Sequence, residues 1–150
     1  MVAVVSRTLD LLGGEAQRRG IRLERDLEPI PPVVGDEGRL RQVLVNLGLN
    51  AIEAVKDGGL VRVSCRLEPP DADHAGAGPE VAIRIDHDGT GVPPESRDRI
   101  FEPFFTTKAK GSGLGLSIVH AIVTQHGGRI QVKDAPSGGA RFELRLPSTR

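Results

Sequence analysis

The chain has 150 residues, with 20 Lys+Arg against 20 Asp+Glu, so its formal net charge is zero. That length suits one ordinary domain with its own core, and no basic excess is left to hold a nucleic-acid backbone. The single Cys65 excludes an internal disulfide, no Cys/His spacing suits zinc, and no apolar run reaches membrane-spanning length, so a cytoplasmic protein without membrane contact is expected.

Val2, Val5, Leu9, Leu12 and Ala16 recur at three- and four-residue steps until Gly20, which predicts an amphipathic helix. Residues 21–28 alternate through Ile21, Leu23 and Leu27 as a strand, with Arg25 the exception. Asp36 is placed to N-cap a long helix over about 37–56, closed by Gly58-Gly59. Residues 60–68 and 80–87 read as alternating strands, and 92–110 as irregular with a helical turn near 95–100. A helix runs from Gly113 to about His126, ended by Gly127-Gly128. Strands over 129–134 and 140–146 follow, joined as a hairpin at Ser137-Gly138-Gly139. Three helices and about five strands in this order predict an α+β domain, a two-layer α/β sandwich with a mixed sheet.

The long helix is apolar over most of its surface. Leu40, Val43, Leu44, Leu47, Ala51 and Val55 make one face, and Val45, Leu49 and Ile52 extend it. Arg39, Gln42, Asn46, Asn50 and Glu53 nevertheless recur at three- and four-residue steps, one narrow polar stripe. Such a stripe either lines a polar cavity or forms a structural network at a wet edge. Glycine is abundant, at 19 residues, and three of the four Phe fall within five positions, Phe101, Phe104 and Phe105. DHDGTGVP (86–93) follows a strand and, taken alone, is a plain turn. KAKGSGLGLSI (108–118) precedes a helix, whose free N–H groups and dipole suit a phosphate chain, with Lys108 and Lys110 able to add charge. It is no P-loop, since no Gly-Lys-Ser/Thr follows, and it does not open a Rossmann unit.

Taken in order, these segments resemble the ATP-binding catalytic domain of bacterial sensor histidine kinases, within the superfamily shared with gyrase, heat-shock chaperone and mismatch-repair ATPases. QVLVNLGLNAIEAV (42–55) resembles that family's asparagine box, DGTGVP (88–93) its first glycine box, IFEPFFTTK (100–108) its phenylalanine box and GSGLGLSIV (111–119) its second glycine box. The wording is similar to the nitrogen-regulation-type subgroup. The resemblance implies a Bergerat-type, left-handed-crossover sandwich holding ATP and Mg²⁺ between the long helix and a lid over about 94–112. It implies that Asn50 ligates Mg²⁺ with Asn46 beside it, the two forming the catalytic pair. His87, Asp88, Gly89 and Gly91 would contact the nucleotide, as would Lys108, Gly111, Ser112, Gly113, Leu114 and Gly115. Hydrolytic members of the superfamily carry Glu four residues before the metal Asn; here that position is Asn46, which favours phosphotransfer over self-contained hydrolysis. Glu53 is read as structural.

One position departs from the family. Its adenine-reading Asp stands two residues before the first box glycine, where this chain has His87. Period two puts His87 on the face of Ile83 and Ile85, toward the pocket, and turns Asp86 and Asp88 elsewhere. Three readings follow: Asp86 or Asp88 substitutes for the missing acid, His87 weakens ATP binding, or its N–H meets a carbonyl and favours guanine. None of His74, His87, His120 or His126 stands in a phosphoacceptor context, and no dimerisation and phosphoacceptor domain is expected within 1–150. The expected function is to supply the γ-phosphoryl group of Mg-ATP to a histidine on a separate dimerisation domain, and a response regulator indirectly, from a monomer. A stand-alone anti-sigma-type serine kinase and a degenerate nucleotide-binding module are the alternatives.

Overall fold

The computed structural model describes residues 2–30, 33, 35–55, 58–70, 78–89, 97, 99–101, 115–136 and 138–148. Among them are helices α1 (Val2–Arg18), α2 (Glu37–Ala54) and α3 (Gly115–Gln125). The strands are β1 (Arg22–Leu27), β2 (Leu60–Glu68), β3 (Glu80–His87), β4 (Arg129–Asp134) and β5 (Ala140–Pro147). The sheet order is β1-β2-β3-β5-β4. β1 and β2 pair in parallel, Arg22 opposite Leu60, because α2 crosses over between them. The other neighbours pair antiparallel, with Val61 opposite His87, Ile85 opposite Phe142 and Ile130 opposite Leu144.

Period two sorts the strands onto two faces. Val61, Val63 and Cys65, then Val81, Ile83, Ile85 and His87, then Phe142, Leu144 and Leu146 are buried on the helix side. Against them pack Val5, Leu9 and Leu12 of α1, Val43, Leu47 and Ala51 of α2, and Val119, Ile122 and Val123 of α3. Arg25, the exception in β1, reaches Asp10 of α1 at 3.2 Å and so ties the edge strand to the helix layer.

Each helix stops for a local reason. The Asp36 carboxylate accepts from the Arg39 N–H at 3.1 Å and caps α2 as expected. At its other end α2 stops earlier than the expected 56, because Val55 is already extended at φ −105° and ψ 143°. α3 ends in a Schellman motif: Gly127, at φ 73°, donates to the Thr124 carbonyl and Gly128 donates to that of Val123, both at 3.0 Å. α3 is described from Gly115, and the expected start at Gly113 lies outside the described residues.

The outer sheet face carries no helix among the described residues and is covered by its own charges. Arg84 is bidentate on Glu68 at 2.6 and 2.8 Å and reaches Glu143 at 2.7 Å. Arg129 is bidentate on Glu80, Arg141 on Asp86, and Lys133 meets Glu143 at 2.9 Å. Burial pushes the Glu143 carboxyl up, but Lys133 and Arg84 outweigh it and hold it at about 2. A hollow of about 400 Å³ on this face is lined by Asp26, Arg62, Arg66, Arg84, Asp86 and Arg141 among others. Those side chains point away from the helices, so the hollow belongs to the ion lattice and lies on the opposite face of the sheet from α2.

Candidate functional site

The polar stripe of α2 is anchored at its N-terminal end. Arg39 donates to the Gln125 side chain of α3 at 2.8 Å. The Asp36 N–H donates to Nε2 of His126 at 3.0 Å, and Nδ1 of His126 lies 2.8 Å from the Ile122 carbonyl. A carbonyl only accepts and a backbone N–H only donates, so His126 carries its proton on Nδ1. It thereby holds the C-terminus of α3 against the start of α2. Nothing around His126 in the sequence singles out a partner 90 positions away. Further along the stripe Asn46 and Asn50 are half-buried one turn apart, and Glu53 is exposed. Val45 and Leu49 are half-buried, so the helix is less enclosed than its composition suggests.

The turn after β3 is clamped from two sides. A Cβ built on Gly89 would lie 2.7 Å from the Ala54 carbonyl carbon and 3.0 Å from Val55 Cα, with the Ala54 oxygen closer still. A Cβ on Gly139, in the β4–β5 hairpin, would lie 2.8 Å from Nδ1 of His87 and 3.0 Å from Gly89 N. Gly89 therefore owes its place to packing against the end of α2, four residues beyond Asn50. Gly139 does the same for the hairpin, a contact the sequence did not suggest.

His87 lies at the end of β3 with 2 % of its surface exposed, on the helix side as expected. Its Nδ1 accepts from the Gly89 N–H at 3.1 Å. Asp86 points the other way and is bidentate with Arg141 at 2.7 and 2.8 Å. Exposed Asp88 accepts from the Leu60 N–H at 3.0 Å. Asp86 is thus engaged on the opposite sheet face, while Asp88 has one carboxylate oxygen bonded to the start of β2.

Gly115, exposed, is the first described residue of α3, and among the described residues nothing lies within 4 Å of a Cβ built on it. The first-turn N–H groups have no acceptor within the helix and carry the positive end of its dipole. Ile100 is buried, and the Phe101 ring lies 5.6 Å from that of His120 on α3, so the beginning of the phenylalanine box rests on that helix. Gly91, Lys108, Gly111, Ser112, Gly113 and Leu114 lie outside the described residues, as do Lys110, Phe104, Phe105 and most of the expected lid over 94–112.

The donor set suits a hard cation held chiefly by a ligand's phosphates. Among the described residues no group of three or more His, Cys, Asp or Glu is arranged to hold a metal unaided. A single amide oxygen completing a shell of phosphate and water oxygens fits magnesium chemistry. Among the described residues no helix is long and apolar enough to cross a membrane. Burial raises the Cys65 thiol to about 11, which leaves it inert.

Residues 35–150 match the family of histidine kinase-, DNA gyrase B-, and HSP90-like ATPases. Over 145 residues the chain is 42% identical to the sensor histidine kinase ZraS of Escherichia coli O157:H7, covering 96% of this chain and 30% of that protein. The fold is similar to the nucleotide-free catalytic domain of histidine kinase ThkA, with a TM-score of 0.82 and 30% identity over 97% of this chain and 91% of that one. It is also similar to full-length ShkA in complex with AMPPNP, with a TM-score of 0.80 and 30% identity over 97% of this chain and 29% of that one. The chain spans 30% of the length of ZraS. With this family match over residues 35–150 and the likeness to histidine-kinase catalytic domains, the chain belongs to the histidine kinase-, DNA gyrase B-, and HSP90-like ATPase family, as an ATPase domain of the histidine-kinase type.

Proposed function

We propose that this domain binds Mg-ATP and supplies its γ-phosphoryl group to a histidine on a separate dimerisation domain, in two-component signalling. The observation that carries this reading is the packing of Gly89 on the end of α2 at Ala54, next to the helix that bears Asn46 and Asn50. In this reading the amide oxygen of Asn50 ligates Mg²⁺, with Asn46 beside it. The α3 N-terminus at Gly115, together with Gly111, Ser112, Gly113, Leu114 and Lys108, receives the phosphates. When bound, the ion neutralises phosphate charge, and phosphoryl transfer then depends mainly on positioning. His87, Asp88, Gly89 and Gly91 form the base end. Asn46, in place of a Glu, offers no carboxylate to activate water, which favours transfer over hydrolysis.

The remaining parts of the proposal concern the whole protein. The domain acts as a cytoplasmic monomer on a dimerisation and phosphoacceptor domain, and through it on a response regulator. The test is incubation of the chain with labelled Mg-ATP, with and without a histidine-bearing dimerisation domain from a related sensor kinase. Acid-labile label on the added domain, none on the chain alone, and loss of transfer in Asn50→Ala are expected. Acid-stable label on a serine would favour the anti-sigma-type kinase. Tight nucleotide binding with transfer to neither would favour the degenerate binding module.

A further inference from the structure

We propose that His126 is a positioning residue for the nucleotide site. With Gln125 it clasps the C-terminus of α3 to the N-cap of α2, and so sets where the first described turn of α3 stands relative to the helix that bears Asn46 and Asn50. The inference rests on the nucleotide-binding reading above, in which that turn receives the phosphates.

The clasp consists of directional bonds at one end of the helix pair. The Asp36 N–H donates to Nε2 of His126 at 3.0 Å, and the protonated Nδ1 donates to the Ile122 carbonyl at 2.8 Å. The imidazole is thereby fixed both to its own helix and to the start of the other. Arg39, three residues further along, donates to the Gln125 side-chain oxygen at 2.8 Å. The ring also lies against the backbone before the cap: a Cβ built on Gly35 would be 2.7 Å from Nε2 of His126, with Cδ2 closer still. The Asp36 carboxylate meanwhile caps α2 at the Arg39 N–H. One residue thus starts α2 and receives α3.

The two helices are seated differently. Buried residues run along α2 from Leu40 to Ile52, which makes it the fixed member. In α3 they are Val119, Ile122 and Val123, whereas Gly115 and Ile118 are exposed and Leu116 is only half-buried against the core. Aliphatic burial is favourable but non-directional, so it leaves the tilt and register of α3 softer than hydrogen bonds do. The bonds at Asp36, Arg39, Gln125 and His126 supply the sharper restraint. From Gln125 back to Gly115 the helix spans about 15 Å. A tilt of about 5° at the clasp therefore moves the first described turn by about 1 Å, a misplacement large enough to weaken contacts with a bound ligand.

Calorimetry with Mg-ATP, on variants shown to be folded by circular dichroism, tests this. His126→Phe keeps the ring and loses both hydrogen bonds, and at least about threefold weaker binding than in the parent is expected. His126→Gln keeps one acceptor and one donor and should restore most of the affinity. A structural role alone would lower the unfolding midpoint and leave the affinity of the folded variant unchanged. Parental affinity in folded His126→Phe therefore overturns the proposal while leaving nucleotide binding intact, and His126→Gln binding as weakly as His126→Phe overturns the hydrogen-bonding role. No binding of Mg-ATP by the parent overturns both this proposal and the function it rests on. If His126→Phe does not fold, Gln125→Ala decides in its place, because it removes only the exposed partner of Arg39: weakened affinity supports the proposal and parental affinity overturns it.

Discussion

Gly89 and Gly115 both sit in glycine boxes, and the structure gives them opposite responses to one added methyl group. In Gly89→Ala the new Cβ would lie 2.7 Å from the Ala54 carbonyl carbon and 3.0 Å from Val55 Cα, against an ordinary carbon–carbon contact of about 3.5–4.0 Å. The opposing atoms are backbone, so no rotamer change relieves the overlap. The end of α2 and the β3 turn must separate by roughly 1 Å. Overpacking of this kind costs about 1–3 kcal/mol, and with backbone on both sides the expected loss is at the upper end, about 3 kcal/mol. In Gly115→Ala nothing among the described residues lies within 4 Å of the new atom. Alanine is the better helix former by up to about 1 kcal/mol, so stability is unchanged or slightly raised. Affinity for Mg-nucleotide should nevertheless fall about tenfold, because the methyl enters the space at the α3 N-terminus where phosphates are proposed to sit. Urea unfolding followed by far-ultraviolet circular dichroism, which needs no Trp or Tyr, measures the first effect, and calorimetry the second. Gly89→Ala within about 0.5 kcal/mol of the parent would refute the packing argument, that being the scatter of ordinary surface substitutions. Undiminished nucleotide affinity in a folded Gly115→Ala would refute the phosphate cradle.

Glu143→Gln removes the carboxylate shared by Arg84, Lys133 and Arg145 and should cost about 2–3 kcal/mol at neutral pH. Because its folded pKa is lowered from 4.5 to about 2, the stabilisation is present above 4.5 and is lost as the pH falls toward 2. The parent's stability should therefore drop more steeply through that window than the variant's, as read by urea midpoints at successive pH values; parallel curves would refute the assignment. His126→Ala should cost about 1–2 kcal/mol by removing the acceptor for the Asp36 N–H. His126→Phe, which keeps the ring but no lone pair, should lose nearly as much, and full stability in the Phe variant would show that packing alone matters there. Asp36→Ala, which deletes the cap on Arg39 N–H, should cost about 1 kcal/mol in the same assay, and no measurable change would refute the capping role.

Much of the fold follows from short-range rules, and those parts of the sequence are legible. Alternation places β2 and β3 at the residues where they occur, and Asp36 and Gly127 mark the helix ends they cap. What escapes is whatever depends on which distant segments become neighbours. Glu80 and Glu143 fall on the outward face by alternation, yet both are buried, because the order β3-β5-β4 sets Arg129, Arg145 and Lys133 around them. His126 looks like an ordinary residue before a glycine stop until α3 is laid against the start of α2. Gly89 suggests close approach to a ligand, and its contact is with the α2 backbone.

His87 shows where the boundary between the two lies. Period two is enough to turn its side chain inward, and the side chain is inward. Period two says nothing about which nitrogen keeps its lone pair. That depends on the direction of the Gly89 N–H, which follows from the turn, and the turn is held by Ala54 on one side and Gly139 on the other.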